Sequence, residues 1–226
     1  MHLDHSDIMD IRRKLEQPSV PDRLFSAKDG SRVFMELVTD AVVADKLIAD
    51  LADQNTNSEW GYREWIEQAL LYPGFAVSCR SDDGRAVGFL SFDTLVFIHD
   101  LGRQALSISV KLQPESVYVT EGDRGRGVGG LFTDVVAHQL HEVLARLAAL
   151  STGGLNGVSV REVSVGIEAE CVSEEGTRFA RTVFAACEKA LASHDKVGDW
   201  PLSETLNDFI DYGDFEDEDE AVAAFT

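Results

Sequence analysis

Residues 117–144 read VYVTEGDRGRGVGGLFTDVVAHQLHEVL, and this stretch decides how the rest of the chain is arranged. Val117 to Thr120 has the β-branched and aromatic character of a strand. Arg124 to Gly130 is a glycine-rich turn, and from Leu131 onward apolar residues recur at helical spacing. Gly125, Gly127, Gly129 and Gly130 stand where side chains would crowd an incoming ligand. The helix start behind them offers N–H groups without intrahelical partners and a partial positive charge. A strand, a glycine turn and a helix start in this order suit phosphate oxygens.

Two familiar phosphate motifs do not account for the turn. Gly125 to Gly130 satisfies G-x-G-x-x-G, but the dinucleotide fingerprint belongs to a compact βαβ unit with an acid roughly 20 residues later. Here the next strand-like run begins near Val158, and a charged TEGDR segment separates strand from glycines. A P-loop needs Gly-Lys followed by Ser or Thr, and the chain has no such tripeptide.

Arg124-Gly125-Arg126-Gly127-Val128-Gly129 resembles motif A of the GNAT superfamily, the acyl-CoA-dependent N-acyltransferases. The wider form of that motif is a V-x-V strand, a few turn residues, R-G-x-G-x-G and an apolar helix, and it is matched without a gap. The resemblance implies acetyl-CoA as cofactor. Val117, Tyr118 and Val119 would meet its pantetheine arm, and Arg124, Gly125, Arg126, Gly127, Val128, Gly129 and Gly130 its pyrophosphate.

The chain has 226 residues and a net charge of −20. That charge disfavours nucleic acid, whose binding rests on neutralising phosphates with Lys and Arg. It would attract a cationic amine acceptor such as a polyamine, an aminoglycoside or a basic protein tail. Solubility, or adaptation to high salt, is the alternative source of such acidity. A homodimer is kept open beside these partners. No apolar run approaches the roughly 20 residues that span a bilayer. The opening MHLDHSDIMDIRRKLEQ lacks an apolar signal core, so we expect a cytoplasmic protein. Cys79, Cys171 and Cys187 show no C-x-x-C and suit buried thiols. Nothing in the sequence fixes the geometry of His2, Asp4 and His5 near the terminus, and the pair His138 and His141 lacks a nearby third ligand, so no metal site is assigned.

Taken in order, residues 1–30 form a peripheral extension with a helix over Ser6–Gln17 capped by Ser6. Residues 31–195 follow as a GNAT-like domain. Within it Ser31–Val38 is a strand, and Thr39 caps a helix carrying Val42, Val43, Leu47, Ile48 and Leu51. A second helix over Glu59–Leu71 bears Trp60, Tyr62 and Trp65. Phe75–Arg80 and Ala86–His99 form a hairpin around Asp83-Gly84, with a bend or a break near Asp93. Ala105–Thr120 holds the motif strand, where Pro114 cannot donate a ladder bond and implies a bulge. The motif helix, a strand over Val158–Cys171 and a helix over Ser173–Ser193 complete the domain. Residues 196–226 read as an acidic tail, because the acids from Asp199 to Glu220 face no Lys or Arg. The order is β-α-α-β-β-β-α-β-α. The fold class expected is a mixed α/β GNAT-like fold, a twisted, mostly antiparallel sheet flanked by helices.

Acyl transfer to an amine needs a base, N–H donors for the oxyanion and an acid for the leaving thiolate. Alternation puts residues 113, 115 and 117 on one face, which makes Glu115 the candidate base. Family members with a strand-borne glutamate carry it at the position of Gln113. The family's usual acid is a tyrosine in a pattern like N-x-x-A-x-x-F-Y. Ser173, Gly176 and Phe179 match it loosely, and Ala180 stands at the tyrosine position. Ser173, or else Cys171, is the candidate substitute. The expected activity is an N-acetyltransferase acting on a cationic amine. The alternative is a GNAT-like binding protein with weak catalysis that engages a basic partner through its acidic surface and tail.

Overall fold

In the computed structural model the elements run α1 (His5–Glu16), β1 (Leu24–Ser26), β2 (Arg32–Val38), α2 (Ala41–Gln54), β3 (Gly74–Ser81), β4 (Ala86–Gly102), β5 (Ala105–Val119), a 3-10 turn (Glu121–Asp123), α3 (Val128–Gly153), β6 (Ser159–Cys171), α4 (Glu174–Leu191), β7 (Lys196–Val197) and β8 (Trp200–Asp211). The residues described are 4–21, 24–27, 30–54, 74–102, 105–153, 155, 159–171, 174–192 and 194–211. The expected helix over Glu59–Leu71, with Trp60, Tyr62 and Trp65, lies outside them.

All eight strands join one sheet in the order β1-β2-β3-β4-β5-β6-β8-β7. β1 to β5 pair antiparallel, β6 lies parallel to β5, β8 lies parallel to β6, and β7 returns antiparallel. The fold is thus mixed α/β on a mostly antiparallel sheet. Two consecutive parallel crossovers of one hand place α3 and α4 on the same face, where the two helices touch.

Successive strand residues point to opposite faces, and the two larger hydrophobic clusters follow that rule. Phe75, Val77 and Cys79 enter the main cluster with α1, α3 and α4, while Ala76 joins Leu47, Ile48 and Leu51 of α2 on the other face. In α3 the buried residues Phe132, Val135, Val136, Leu140, Val143, Leu144 and Leu147 recur every three or four positions.

Caps and ends depart from the expectations in small, physical ways. The cap of α1 is Asp4 and not Ser6, through a reciprocal capping box with Asp7. The cap of α2 is Asp40 and not Thr39, since the Asp40 carboxylate accepts from the N–H groups of Val42 and Val43. Those bonds also hold the Asp40 carboxyl below its ordinary value.

The first 30 residues, expected at the periphery, contribute to the core. Ile11 and Leu15 of α1 are buried in the main cluster, as is Phe25 of β1. Gln139, fully buried on α3, secures the link after α1: it accepts from Ser19 N–H and donates to the Gln17 carbonyl and to Thr94. His138 sits 3.0 Å from the Ser19 hydroxyl. At the other end, the segment from Lys196, expected as an acidic tail, carries β7 and β8. β8 extends the sheet in register with β6 from Leu202 to Asp211, and residues 212–226 lie outside the described set.

Candidate active site

β5 delivers the chain to the glycine turn. Thr120 N–H donates to Val87 carbonyl, the 3-10 turn follows, and the first helical bond of α3 runs from Leu131 N–H to the Gly127 carbonyl. Gly125 and Gly127 have φ of 78° and 91°, the left-handed region that glycine enters without a Cβ penalty. Among the described residues the N–H groups of Gly125, Gly127, Val128, Gly129 and Gly130 have no backbone acceptor. A Cβ on Gly125, Gly129 or Gly130 would meet nothing within 4 Å. The result is open space beside N–H groups at the positive end of a long helix.

Beneath the turn lies a carboxylate that the sequence presents only as part of a charged spacer. Asp123 is 1% exposed. It accepts two N–H bonds from Arg85, at 2.6 and 3.1 Å, and the Thr120 hydroxyl at 2.5 Å. Arg126 also donates to it, and the same guanidinium reaches the Ser31 hydroxyl at 2.5 Å. Burial pushes the Asp123 carboxyl up, but the hydrogen bonds from Arg85 and Thr120 and the charges of both arginines outweigh it, so the carboxyl lies below its ordinary value. Arg126, expected at the pyrophosphate, is therefore directed to Asp123. Arg124 remains exposed, with Nε 3.4 Å from the Val119 carbonyl.

The other feature is a split between β5 and β6. Their parallel pairing ends at Leu112 opposite Ile167. From Gln113 onward β5 pairs with β4 alone among the described strands, while Glu168 to Cys171 pair with β8. The bulge expected from Pro114 is present: Ser91 faces Ser116 and Phe92 faces Pro114, so Glu115 is the extra residue. No break interrupts β4 near Asp93, since the strand continues to Gly102. The irregularity belongs to β5.

That bulge changes the phase of the strand. Val110 and Leu112 contact the main cluster, and so do Val117 and Val119, while Tyr118 packs on the opposite face with Phe89, ring centroids 6.0 Å apart. Residues 113, 115 and 117 consequently do not share a face, which corrects the reason for choosing Glu115. Its side chain is exposed at the bulge. Val117, Tyr118 and Val119 lie half-buried beside the split, with the strand edge that β6 leaves open.

Gln113 is in register with Asp93 of β4, and Asp93 is in register with Gly74 of β3. A Cβ at Gly74 would collide with the Asp93 carboxylate, so the glycine makes room for it. Burial raises the Asp93 carboxyl above its ordinary value. One step along the split, Lys111 and Glu168 form an ion pair of 2.7 Å between β5 and β6. A lone acid inside the apolar run GFLSFDTLVFI is the sequence signal for Asp93, and it marks a half-buried carboxyl on a continuous strand. Ser173 lies outside the described residues. Cys171 closes β6 in register with Asp211, and Ala180 is buried against Ala169.

Among the described residues no group of three or more His, Cys, Asp or Glu could hold a metal ion. No described helix is long and apolar enough to cross a membrane.

No family model matches the chain, and no curated protein matches it in sequence. Several solved structures are similar in backbone. One is a ribosomal-protein-alanine N-acetyltransferase from Brucella melitensis biovar Abortus 2308, 21% identical over 65% of this chain and 87% of that one, with TM-score 0.37. Another is AAC(6')-Iy in complex with a CoA-containing bisubstrate analog, 15% identical over 68% and 88%, with TM-score 0.37. A third is a mutant AtaT toxin bound to the C-terminus of the antitoxin AtaR and acetyl-CoA, 14% identical over 67% and 82%, with TM-score 0.40. At TM-scores this low these are similarities only, and the function of the site has to be argued from its own strand pairing and side chains.

Proposed function

We propose that the chain is a GNAT-like N-acetyltransferase that moves an acetyl group from acetyl-CoA to a primary amine of a cationic small molecule or protein. The observation that carries this reading is the succession along β5 of a split strand edge, a bulge and an N–H-lined glycine turn at a helix start. The site fits the cofactor in its two chemically distinct parts. The space beside Gly129 and Gly130 is free of protein atoms around an added Cβ, as a phosphate beside the helix start requires, and the open backbone edge at Val117 to Val119 offers alternating donors and acceptors to an arm of amides.

When bound, acetyl-CoA supplies the acyl thioester. The chain holds, orients and moves protons. The N–H groups of Gly125, Gly127, Val128, Gly129 and Gly130 would receive the phosphate oxygens, with Arg124 beside them. A backbone N–H of the Val117–Val119 edge would serve as the donor that stabilises the oxyanion of acyl transfer. Asp93 takes the proton from the acceptor's ammonium, so that a neutral amine faces the thioester. Burial suits it to this task, because an acid raised toward the working pH is the better base. It is preferred over Glu115, which is exposed at the bulge, and over Glu168, which is engaged by Lys111. Ser173 keeps the role of proton donor to the leaving thiolate.

The net charge of −20 supports a cationic acceptor. β7 and β8 supply strands after α4, which favours the enzyme over the alternative of a binding protein with weak catalysis. The test is thiol release from acetyl-CoA in the presence of spermidine, an aminoglycoside and a lysine-rich peptide. Acceptor-dependent release is expected. Retention of the peptide without release from any of the three would favour the binding protein.

A further inference from the structure

We infer that Asp123 and Arg126 form a strut that sets the glycine turn in advance of any ligand, with Arg126 held away from the cofactor and Arg124 left as the cationic contact of the turn. The assignment of Arg124 rests on the acyl-CoA reading above, whereas the strut itself can be tested in the ligand-free chain.

The geometry is that of a brace across a flexible span. Asp123 ends the 3-10 turn and Arg126 lies three residues on, so their ion pair straddles Gly125. Gly125 and Gly127 give the turn its shape and also its freedom, since glycine loses more conformational entropy on ordering than any other residue. A ligand meeting an unbraced turn would have to supply that ordering itself. A brace formed at folding removes the cost from binding.

The brace is anchored at three separate places. Arg85, just before β4, meets Asp123 through two N–H bonds; the Thr120 hydroxyl meets it from the end of β5; and Ser31, just before β2, receives Arg126. A carboxylate has about four acceptor sites, and the four donors from Arg85, Thr120 and Arg126 occupy them. Turning Arg126 outward to a phosphate would take a cation from a carboxylate that is 1% exposed, an exchange that burial makes unfavourable. Arg124 is under no such constraint. Its side chain is exposed on the outer side of the turn.

The test combines amide hydrogen exchange on the ligand-free chain with calorimetric titration by coenzyme A at several salt concentrations. The variants are Asp123→Asn, Arg126→Gln, their double variant, Ser31→Ala and Arg124→Gln. The strut predicts faster exchange over residues 124–130 in Asp123→Asn and Arg126→Gln, a smaller rise in Ser31→Ala, and none in Arg124→Gln. It predicts that affinity for coenzyme A falls about tenfold in each of the first two and no further in the double variant, as for residues acting as one unit. Arg124→Gln should flatten the salt dependence of binding, and Arg126→Gln should leave it unchanged.

Exchange unaltered by either Asp123→Asn or Arg126→Gln would overturn the strut. Additive losses, or a salt dependence flattened by Arg126→Gln, would make Arg126 a direct phosphate ligand and overturn it equally. If Asp123→Asn does not fold, Arg126→Gln and Ser31→Ala decide the matter. If the wild-type chain does not bind coenzyme A, the acyl-CoA reading and the role of Arg124 fall, while the exchange data still decide the strut.

Discussion

Asp123 and Asp93 are carboxylates removed from water to different degrees, the first buried in the turn that follows β5 and the second half-buried on β4 opposite Gln113. At the turn end, Asp123 is surrounded by two arginines and a hydroxyl, and its carboxyl is held below the ordinary value despite burial. At the bulge end, burial acts on Asp93 without an offsetting cation among the described residues, and its carboxyl is raised. Burial alone favours the neutral acid, and donors reverse that preference. One carboxylate is therefore held toward its charged form, fit to organise structure. The other sits nearer to taking up a proton, fit to take part in chemistry.

The comparison can be broken most sharply at the turn. Gly129→Glu places a carboxylate in the open space over the helix start, at a position of ordinary φ. Two unit charges about 4 Å apart repel by about 4 kcal/mol near a protein surface, so affinity for coenzyme A should fall by at least about 100-fold. The fold should not suffer, because an acid in the first helical turn is favourable. Calorimetry and a thermal melt on the same sample check both halves.

At the bulge end the effect should be on rate instead. Asp93→Asn is expected to lower kcat by about 100-fold, the low range for losing a general base, with KM for acetyl-CoA unchanged. Its stability carries the opposite sign. The folded carboxyl is raised above the ordinary 3.8, so the wild type bears a penalty that sets in as pH rises from that value through the folded one. Melting temperatures across that range should show Asp93→Asn gaining on the wild type as pH rises. A variant that loses stability and rate together would return Asp93 to a structural role.

Smaller effects sharpen the contrast. Gly127→Ala must hold φ near 91°, and a left-handed non-glycine residue costs about 1–2 kcal/mol, which denaturant unfolding can resolve. Lys111→Met removes a partly exposed ion pair at the split and should change stability by less than about 1 kcal/mol. A larger loss would mean that the pair holds β5 and β6 together past the point where their ladder ends.

What is legible in the sequence depends on the range of the interactions involved. The glycine turn, the motif helix, the hairpin at Asp83-Gly84 and the bulge near Pro114 are local, written in residues a few positions apart, and they can be read directly. Asp123 cannot, because its environment is assembled from Ser31, Arg85 and Arg126, which have no shared period. The extruded residue is hidden too: proline announces that a ladder bond is missing, but the partner strand decides that Glu115 is the one skipped. Composition conceals β8, whose acids and missing cations resemble a solvated tail, whereas its backbone is in register with β6. Gln139 looks like one more polar residue on a helix, and its function depends on a segment more than a hundred positions earlier.

The most direct test of the central claim is calorimetric titration of the chain with acetyl-CoA, with adenosine diphosphate alone as control. The split strand edge and the turn together predict micromolar binding of acetyl-CoA that is much stronger than binding of the diphosphate, since the arm adds contacts along Val117 to Val119. Absence of binding, or equal affinity for the two, would contradict the assignment of that strand edge to the cofactor.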